Sequence, residues 1–411
     1  MRSRLVSLTL VSALAIAACG SDDTSTPASP DTAETSPTNA GSAPTTEAPV
    51  ETAAPTTELT PETTEAALPH LEVISAGPYD VGVTTITIDT DTDRPLTLDV
   101  WFPVDDSGDA PLNQYTLIPG VYYESPVAVA GAELAVAEGS FPLVVYSHGS
   151  GGLRYIASYY TEAIASHGYV VAAPDHTGNT AADRLLGAEA DFDVTALNRP
   201  NDVAATIDAM LDPSNVGLVG SIDTESIAVT GHSFGGFTSL AVAGGYENPL
   251  GSFAVDERVD AIIPLAPATG DGTRLMSDAA LESIRIPTLV MVGTNDQTTP
   301  VDPNVTRIWD LAGSDPLIRV ELVDAQHQSF TDACDYLEFL PTLGEVVPQA
   351  VIDTLESQGA EGCSPGDMPI DRAKDLTNTF AVNFLESVFR GAELITDETT
   401  ALPDDVIYMI R

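Results

Sequence analysis

A serine between two glycines is the first residue whose surroundings suggest covalent chemistry. Ser233 lies in the sequence GHSFG, residues 231–235, directly after the apolar segment Ser226–Thr230 and before a run of small residues. Between a strand and a helix, this pattern forms a sharp turn that lifts the serine oxygen above a sheet. Gly231 and Gly235 then allow the strand and the helix to approach closely. The pattern predicts a nucleophilic serine, and the alternative is a glycine-rich turn without chemistry.

A serine nucleophile requires a base, and the base requires an acid that orients it. Among the six histidines, His327 follows the last predicted strand of the sheet, in ELVDAQHQSF. Asp296 follows the preceding strand, in TLVMVGTNDQTTP. The order Ser233, Asp296, His327 is the order expected for a serine turn on an α/β sheet. Asp302 is the second candidate for the acid, and Asp260 is the third.

Two backbone amides are candidates for stabilising an oxyanion. The N–H of Phe234 follows the serine, and the N–H of Ser150 lies in the loop HGSGG, residues 148–152, after an earlier strand. Acyl-transfer sites of this type take one donor from each of these two positions. The alternative for the second loop is a flexible turn.

Four more side chains are candidates for lining a substrate pocket. Tyr155, Tyr159 and Tyr160 follow the HGSGG loop, and His176 follows a strand, in PDHTGN. Aromatic residues at such positions also commonly belong to the core or to the wall of a groove. Both interpretations stay open for these side chains.

The segments between these loops predict an α/β fold. Early segments alternate in hydrophobicity, as half-exposed strands do, and later ones such as PLVVYS are continuously apolar, as in a buried parallel sheet. The eight predicted strands are Thr84–Ile88, Leu96–Phe102, Phe141–Tyr146, Tyr169–Ala173, Ser226–Thr230, Val259–Leu265, Thr288–Val292 and Leu317–Val323. Helical patterns separate them, which predicts a mostly parallel eight-stranded sheet with helices on both faces. The short stretch between the sixth and seventh strands leaves no room for a large cap.

The ends of the chain predict export. Residues 1–18 have a basic start and a short apolar core, as a signal peptide does, and Cys19 follows as in a bacterial lipobox. Residues 19–69 are rich in Thr, Pro and Glu, which predicts a disordered tether. We therefore expect a cell-envelope lipoprotein, or a secreted protein if Cys19 carries no lipid. A single catalytic domain is expected over residues 70–395, with a tail over 396–411.

Charge and cysteine content limit which ligands and which cross-links the protein can have. The chain carries 61 Asp and Glu against 15 Lys and Arg, a net charge of −46, which excludes electrostatic binding to nucleic acid. Besides Cys19 there are Cys334 and Cys363, and an even pair in an exported chain predicts a disulfide. Two buried free thiols are the alternative. No cysteine and histidine cluster suggests a metal site.

The loop sequences HGSGG, GHSFGG, GTNDQTTP and HQSFTD together resemble the α/β-hydrolase superfamily over about residues 80–390. The closest similarity is to its platelet-activating factor acetylhydrolase and dienelactone hydrolase-like branch. Dienelactone hydrolases proper use a cysteine nucleophile, whereas this chain has Ser233, so their chemistry is disfavoured. The resemblance implies hydrolysis of esters without calcium or another cofactor, and it leaves the ester open.

The sequence thus predicts a monomeric serine carboxylic ester hydrolase that forms an acyl-enzyme with short-acyl esters or lipids. An extracellular polyester hydrolase, a lipase, a peptidase or a thioesterase on the same three residues are alternatives. The alternative that is not an enzyme is a surface binding protein built on an inactive hydrolase scaffold.

Overall fold

An 11-stranded mixed sheet forms the centre of the computed structural model, which describes residues 68–89, 94–131, 137–212, 214 and 221–411. The sheet strands are β1 (Asp80–Ile88), β2 (Leu96–Val104), β3 (Leu112–Ile118), β4 (Val121–Ala130), β5 (Ser140–Ser147), β6 (Val170–Pro174), β7 (Ser221–His232), β10 (Ala261–Leu265), β11 (Thr288–Gly293), β12 (Leu317–Leu322) and β13 (Val406–Ile410). A separate hairpin consists of β8 (Tyr246–Asn248) and β9 (Gly251–Phe253).

Helices cover both faces of this sheet. They are α1 (Ser158–Ser166), α2 (Ala181–Leu186), α3 (Phe192–Leu211), α4 (Phe234–Gly244), α5 (Asp278–Ser283), α6 (Val301–Leu311), α7 (Ala333–Phe339), α8 (Gln349–Gly359) and α9 (Ile370–Arg390). Two 3₁₀ segments, His327–Phe330 and Leu340–Val346, complete the described helical structure.

The sheet confirms the predicted fold class but has more strands than predicted. The strand order is β13-β12-β11-β10-β7-β5-β6-β2-β1-β4-β3, and the six strands from β12 to β6 run parallel. All eight predicted strands lie within it. The prediction of eight strands was wrong because it missed β3, β4 and β13: β13 and β3 are the two edge strands, and β4 pairs between β1 and β3. β3 and β4 are also largely exposed and carry polar residues, so their hydrophobic pattern is weak.

The parallel strands are buried on both faces, as their continuous apolar sequences predict. In β5, Val144 and Tyr146 pack in the core on one face, whereas Leu143 and Val145 pack in the core on the other. This alternation follows from the two-residue repeat of a strand. Residues of α1 and α9 contribute to the first core, and residues of α3 and α4 contribute to the second.

The connections after the strands agree with the absence of a large cap. Between β10 and β11 the chain forms only α5, a six-residue helix. The longest insertion instead follows β12, between the 3₁₀ segment His327–Phe330 and α9. Leu340 and Val347 of this insertion pack against Val121 of β4. The insertion therefore covers the β3–β4 side of the molecule.

The C-terminal residues belong to the sheet. Within the segment expected as a tail, 396–411, β13 pairs antiparallel with β12.

The predicted signal peptide, Cys19 and residues 20–67 of the predicted tether lie outside the described residues. Among the residues that the structure describes, no helix is long and apolar enough to span a membrane.

Candidate active site

Ser233 occupies the turn between β7 and α4 with a backbone conformation that non-glycine residues rarely adopt. Its φ is 58° and its ψ is −113°. The end of β10 holds this conformation, because the Ser233 N–H donates to the Leu265 carbonyl at 2.9 Å. The Ala268 N–H donates to the Ser233 carbonyl at 3.2 Å. A strained residue that its surroundings fix in this way is common at active sites.

The flanking glycines are required by the close approach of β5. A Cβ atom on Gly231 would lie 2.4 Å from the Ser147 carbonyl oxygen. A Cβ atom on Gly235 would lie 1.8 Å from the same oxygen. Both distances are far shorter than a van der Waals contact, so only glycine fits at these positions. The glycines thus allow the last residue of β5 to lie between the strand and the helix of the turn.

Ser233, His327 and Asp296 form a continuous chain of hydrogen bonds. The Nε2 atom of His327 lies 2.9 Å from the Ser233 Oγ atom, and the Nδ1 atom lies 2.8 Å from the Asp296 Oδ2 atom. His327 and Asp296 are each only 4% exposed. With Nδ1 donating to the carboxylate, Nε2 is free to accept the serine proton.

Thr299 fixes the carboxylate of Asp296. Its N–H donates to Oδ1 at 2.7 Å, and its hydroxyl lies 2.9 Å from Oδ2. Burial alone raises the pKa of Asp296, but the hydrogen bonds from His327 and Thr299 outweigh it and lower this pKa. Asp296 is therefore an anion at neutral pH.

The two alternative acids lie elsewhere. Asp302 is exposed on α6. Asp260 accepts a hydrogen bond from the Ile227 N–H, near the beginning of β10 and away from the strand end that carries Ser233. The geometry therefore favours Asp296 over both.

His232 holds the backbone at His327, the proposed base, in place. Its Nε2 atom lies 2.8 Å from the His327 carbonyl oxygen. Burial and the nearby His327 lower the pKa of His232 to about 3, so it is a neutral donor at this carbonyl. In the sequence, His232 is part of the glycine turn GHSFG, and no pattern indicates a role for Thr299. The position of His232 next to the serine was the one available signal.

The HGSGG loop lies beside Ser233. A Cβ atom on Gly149 would lie 3.5 Å from the Ser233 Cβ atom. Ser150 follows it, and its exposed hydroxyl lies 3.3 Å from both Asn179 Nδ2 and Arg184 Nη2. Phe234 is the first residue of α4, where the N–H groups have no acceptor within the helix. Both residues proposed as oxyanion donors thus flank the serine.

The structure places the four predicted pocket residues in packed or hydrogen-bonded positions. The Tyr155 hydroxyl donates to the Thr116 carbonyl, and the Tyr160 hydroxyl contacts Thr230. Tyr155 and Tyr160 belong to the core, and the half-buried Tyr159 packs against it, with Lys374 over its ring. Tyr155 precedes α1 and stacks on Tyr115 of β3, whereas Tyr159 and Tyr160 belong to α1.

His176 belongs to a second hydrogen-bonded group of Ser, His and Asp. Its Nε2 atom lies 2.8 Å from Ser147 Oγ, and its Nδ1 atom lies 3.0 Å from Asp202 Oδ2. All three residues are at most 2% exposed, so no substrate reaches them. Burial lowers the pKa of His176 well below its usual value, which makes it a neutral link beneath the HGSGG loop.

A disulfide joins the insertion after β12. Cys334 and Cys363 are bonded, with 29 positions of separation in sequence. Two residues before Cys363, the Glu361 carbonyl accepts from the Gln328 N–H at 2.7 Å. The Glu361 carboxylate accepts from the Thr298 N–H at 3.1 Å. The bridged segment thus contacts both the loop of His327 and the loop of Asp296.

Removal of this disulfide is expected to reduce both stability and turnover. For a closed loop of this length, chain entropy predicts a loss of about 3–4 kcal/mol in the free energy of unfolding. Turnover falls as well, because Glu361 no longer holds the two loops. Thermal unfolding and kcat of the Cys334→Ser/Cys363→Ser double variant measure both effects. Reductant should bring the wild type to the level of this variant, and an unchanged melting temperature after both thiols are freed would contradict the prediction.

The chain is similar in sequence to known acetylhydrolases. The family model "Platelet-activating factor acetylhydrolase, isoform II" matches residues 121–190. The platelet-activating factor acetylhydrolase of Bos taurus is 27% identical over 223 residues, which cover 40% of this chain and 50% of that protein. The protein of the same name from Canis lupus familiaris is 27% identical over 285 residues, which cover 60% of this chain and 56% of that protein. The chain thus spans about half the length of these curated relatives.

A solved structure supports the fold over most of the chain. A ferulic acid esterase from Streptomyces cinnamoneus superposes with a TM-score of 0.58 at 22% sequence identity. The superposition covers 84% of this chain and 98% of that one. The chain therefore has the α/β-hydrolase fold and is similar to the platelet-activating factor acetylhydrolase branch of that superfamily.

Proposed function

We propose that this protein is a serine carboxylic ester hydrolase that works through an acyl-enzyme. The observation that carries the proposal is the hydrogen-bonded chain from Ser233 through His327 to Asp296, at the strand ends of an α/β-hydrolase fold. A serine without such a base and acid is a weak nucleophile, and this arrangement activates it. The similarity to acetylhydrolases supports the same reaction class.

In the acylation step, His327 takes the proton of Ser233 through Nε2 as the serine oxygen attacks the acyl carbonyl. The carbonyl oxygen of the ester becomes an oxyanion, which the N–H groups of Ser150 and Phe234 bind. Donors of this kind act most strongly on the transition state, and the loss of one typically costs a factor of about 10²–10³ in kcat. His327 then gives the proton to the leaving alcohol.

In the deacylation step, water replaces the alcohol. His327 removes a proton from the water, which attacks the acyl group on Ser233, and the carboxylic acid leaves with the serine oxygen reprotonated. Asp296 remains an anion throughout, and it stabilises the imidazolium that forms in each step. The two half-reactions therefore use the same groups.

An active-site probe distinguishes the enzyme from a binding protein on an inactive scaffold. A fluorophosphonate forms a covalent bond with an activated serine, and mass spectrometry then identifies the labelled residue. We expect stoichiometric labelling of Ser233 in the folded protein and none in Ser233→Ala. Absence of labelling in folded wild-type protein would support the binding protein instead.

We propose short-acyl esters as substrates, because no bulky element covers the serine from the β10–β11 connection. An open groove cannot desolvate a long acyl chain, so each added methylene gives less than the roughly 0.8 kcal/mol of full burial. We expect kcat/KM for p-nitrophenyl esters to be highest at about two to six acyl carbons. Assays from acetate to palmitate, below and above the solubility limits, measure this.

A steady rise of kcat/KM toward palmitate, or a jump in rate on emulsions, would contradict the short-acyl prediction and favour a lipase. Hydrolysis of solid polyester films at a rate above that of soluble esters would favour the polyester hydrolase. Both outcomes would leave the reaction class unchanged.

We also propose that the protein is a monomer exported to the cell envelope and anchored there through a lipid on Cys19. The basic and apolar start of the chain and the Thr, Pro and Glu-rich tether support this placement. Metabolic labelling with a radioactive fatty acid should mark the wild type and not Cys19→Ala. Equal labelling of both proteins would exclude Cys19 as the lipid site.

A further inference from the structure

A buried arginine contacts the backbone on which the proposed oxyanion donor Ser150 lies. Arg199 of α3 is 0% exposed. Its Nη1 donates to the His148 carbonyl at 2.6 Å, and its Nη2 donates to the Gly149 carbonyl at 3.0 Å. Its Nε and Nη2 also donate to Asn179 Oδ1, at 3.1 and 2.6 Å. The guanidinium is thus held between a loop backbone and one amide side chain.

Within the part of the chain that the structure describes, this arginine makes no direct ion pair, although the charge of the nearby buried Asp202 favours its charged form. Among the described residues, no carboxylate lies within ion-pair distance of it, and its acceptors are neutral oxygens. Burial lowers the pKa of Arg199 to about 9, so it is still a cation at neutral pH. Removing a cation from water without a direct ion pair is costly. A role in the site would explain why the chain retains a cation here.

The peptide bond between Gly149 and Ser150 connects Arg199 to the oxyanion. In a trans peptide the C=O and the following N–H lie in one plane and point in opposite directions. The Gly149 carbonyl accepts from Arg199, and it also contacts the Gly152 N–H at 3.2 Å and His148 Nδ1 at 2.7 Å. A carbonyl fixed by these donors fixes the direction of the Ser150 N–H.

The same guanidinium contacts the second donor residue. Its central carbon lies 4.7 Å from the centroid of the Phe234 ring. Phe234 also stacks on Phe192 of α3, with ring centroids 5.5 Å apart. One buried cation therefore contacts both the carbonyl of the Gly149–Ser150 peptide and the ring of Phe234, so it fixes the positions of the two amides relative to each other.

We infer that Arg199 is a positioning residue that aligns the Ser150 and Phe234 amides as one oxyanion site. This inference rests on the proposed esterase function. Arg199 does not touch the substrate, and it acts through the backbone of the HGSGG loop and through the Phe234 ring.

A pair of substrates that differ in one atom tests this role. p-Nitrophenyl acetate places an oxygen in the oxyanion site, and O-p-nitrophenyl thionoacetate places a sulfur there. Sulfur is larger and accepts hydrogen bonds weakly, so a well-aligned site favours the oxygen substrate. The ratio of the two kcat/KM values therefore reports on the alignment of the amides, whereas partial unfolding lowers both values by the same factor.

The variant Arg199→Met keeps an apolar stem of similar length and removes every donor. We expect its kcat/KM on the acetate to fall by about 10²-fold, the loss typical of one oxyanion donor, with KM within about threefold of the wild type. On the thionoacetate we expect a fall of less than about threefold. The selectivity for oxygen over sulfur should thus collapse, while fluorophosphonate still labels Ser233 to completion.

Two further variants serve as a second test and as a control for non-specific effects. Asn179→Ala keeps the cation but removes the acceptor of its Nε, so it should lower the same selectivity to a smaller degree. Arg258→Met removes an arginine that pairs with Asp256 away from the loop, and it should leave the selectivity unchanged. If Arg199→Met does not fold, Asn179→Ala carries the test.

The inference would be overturned if the selectivity remained at the wild-type value in folded Arg199→Met, or in Asn179→Ala where only that variant folds. Equal losses on both substrates would also overturn it, since they would indicate a purely structural role. A wild-type protein without turnover and without labelled Ser233 would instead refute the proposed function. The two failures are thus distinguishable.

Discussion

Ser233→Ala is expected to abolish ester turnover while leaving the fold intact. The alanine keeps the Cβ atom and the backbone that the Leu265 carbonyl holds, and only the nucleophilic oxygen is lost. His327→Ala should cost about as much, because the serine and its base act as a unit. In a serine hydrolase with this arrangement, either loss lowers kcat by a factor on the order of 10⁶. Initial rates on p-nitrophenyl acetate, corrected for spontaneous hydrolysis, measure the effect.

The control for the histidine is His70→Ala, which removes an exposed imidazole near the N-terminal edge of the described fold. It should retain the wild-type kcat. Circular dichroism and thermal unfolding establish that the inactive variants are folded. Retention of more than about a tenth of the activity in either active-site variant would refute the assignment of the nucleophile and base.

Asp296→Asn is expected to lower kcat by about 10⁴-fold, the loss typical when the orienting carboxylate becomes an amide. The structure gives a specific reason for this loss. The Thr299 N–H donates to the Oδ1 atom, so the amide oxygen of asparagine will occupy this position. The NH₂ group then faces His327 Nδ1, which must accept a hydrogen bond, so Nε2 carries the proton. In this tautomer Nε2 cannot take the proton of Ser233.

Asp302→Asn is the matched control, because it makes the same chemical change on a carboxylate exposed on α6. Its kcat should equal that of the wild type. A pH profile of kcat/KM separates the tautomer effect from a lost fold, since Asp296→Asn should regain part of its activity at alkaline pH through hydroxide. Near-normal activity of Asp296→Asn together with an inactive Asp302→Asn would show that the acid had been assigned wrongly.

The sequence by itself determined the type of fold and the order of the reactive residues along it. Continuous apolar segments followed by Ser233, Asp296 and His327 predict parallel strands whose ends meet at one edge of a sheet. The physical basis is local, because burial on both faces requires apolar side chains throughout a strand, and the sharp turn requires glycine at positions 231 and 235. For the same reason, strands with little apolar pattern, such as β3 and β4, were not predicted.

Only the tertiary structure decided which neighbours complete the site and which aromatic residues do not belong to it. His327 and Ser233 are separated by 94 positions, and His327 and Asp296 by 31, so their distances depend on how the strands pair. The support from Thr299, His232 and Arg199 depends on side-chain directions that no local pattern specifies. The burial of Tyr160 follows from the packing of α1 on the sheet, since a helix buries whichever face its neighbours cover, and Tyr155 is buried against Tyr115 of β3.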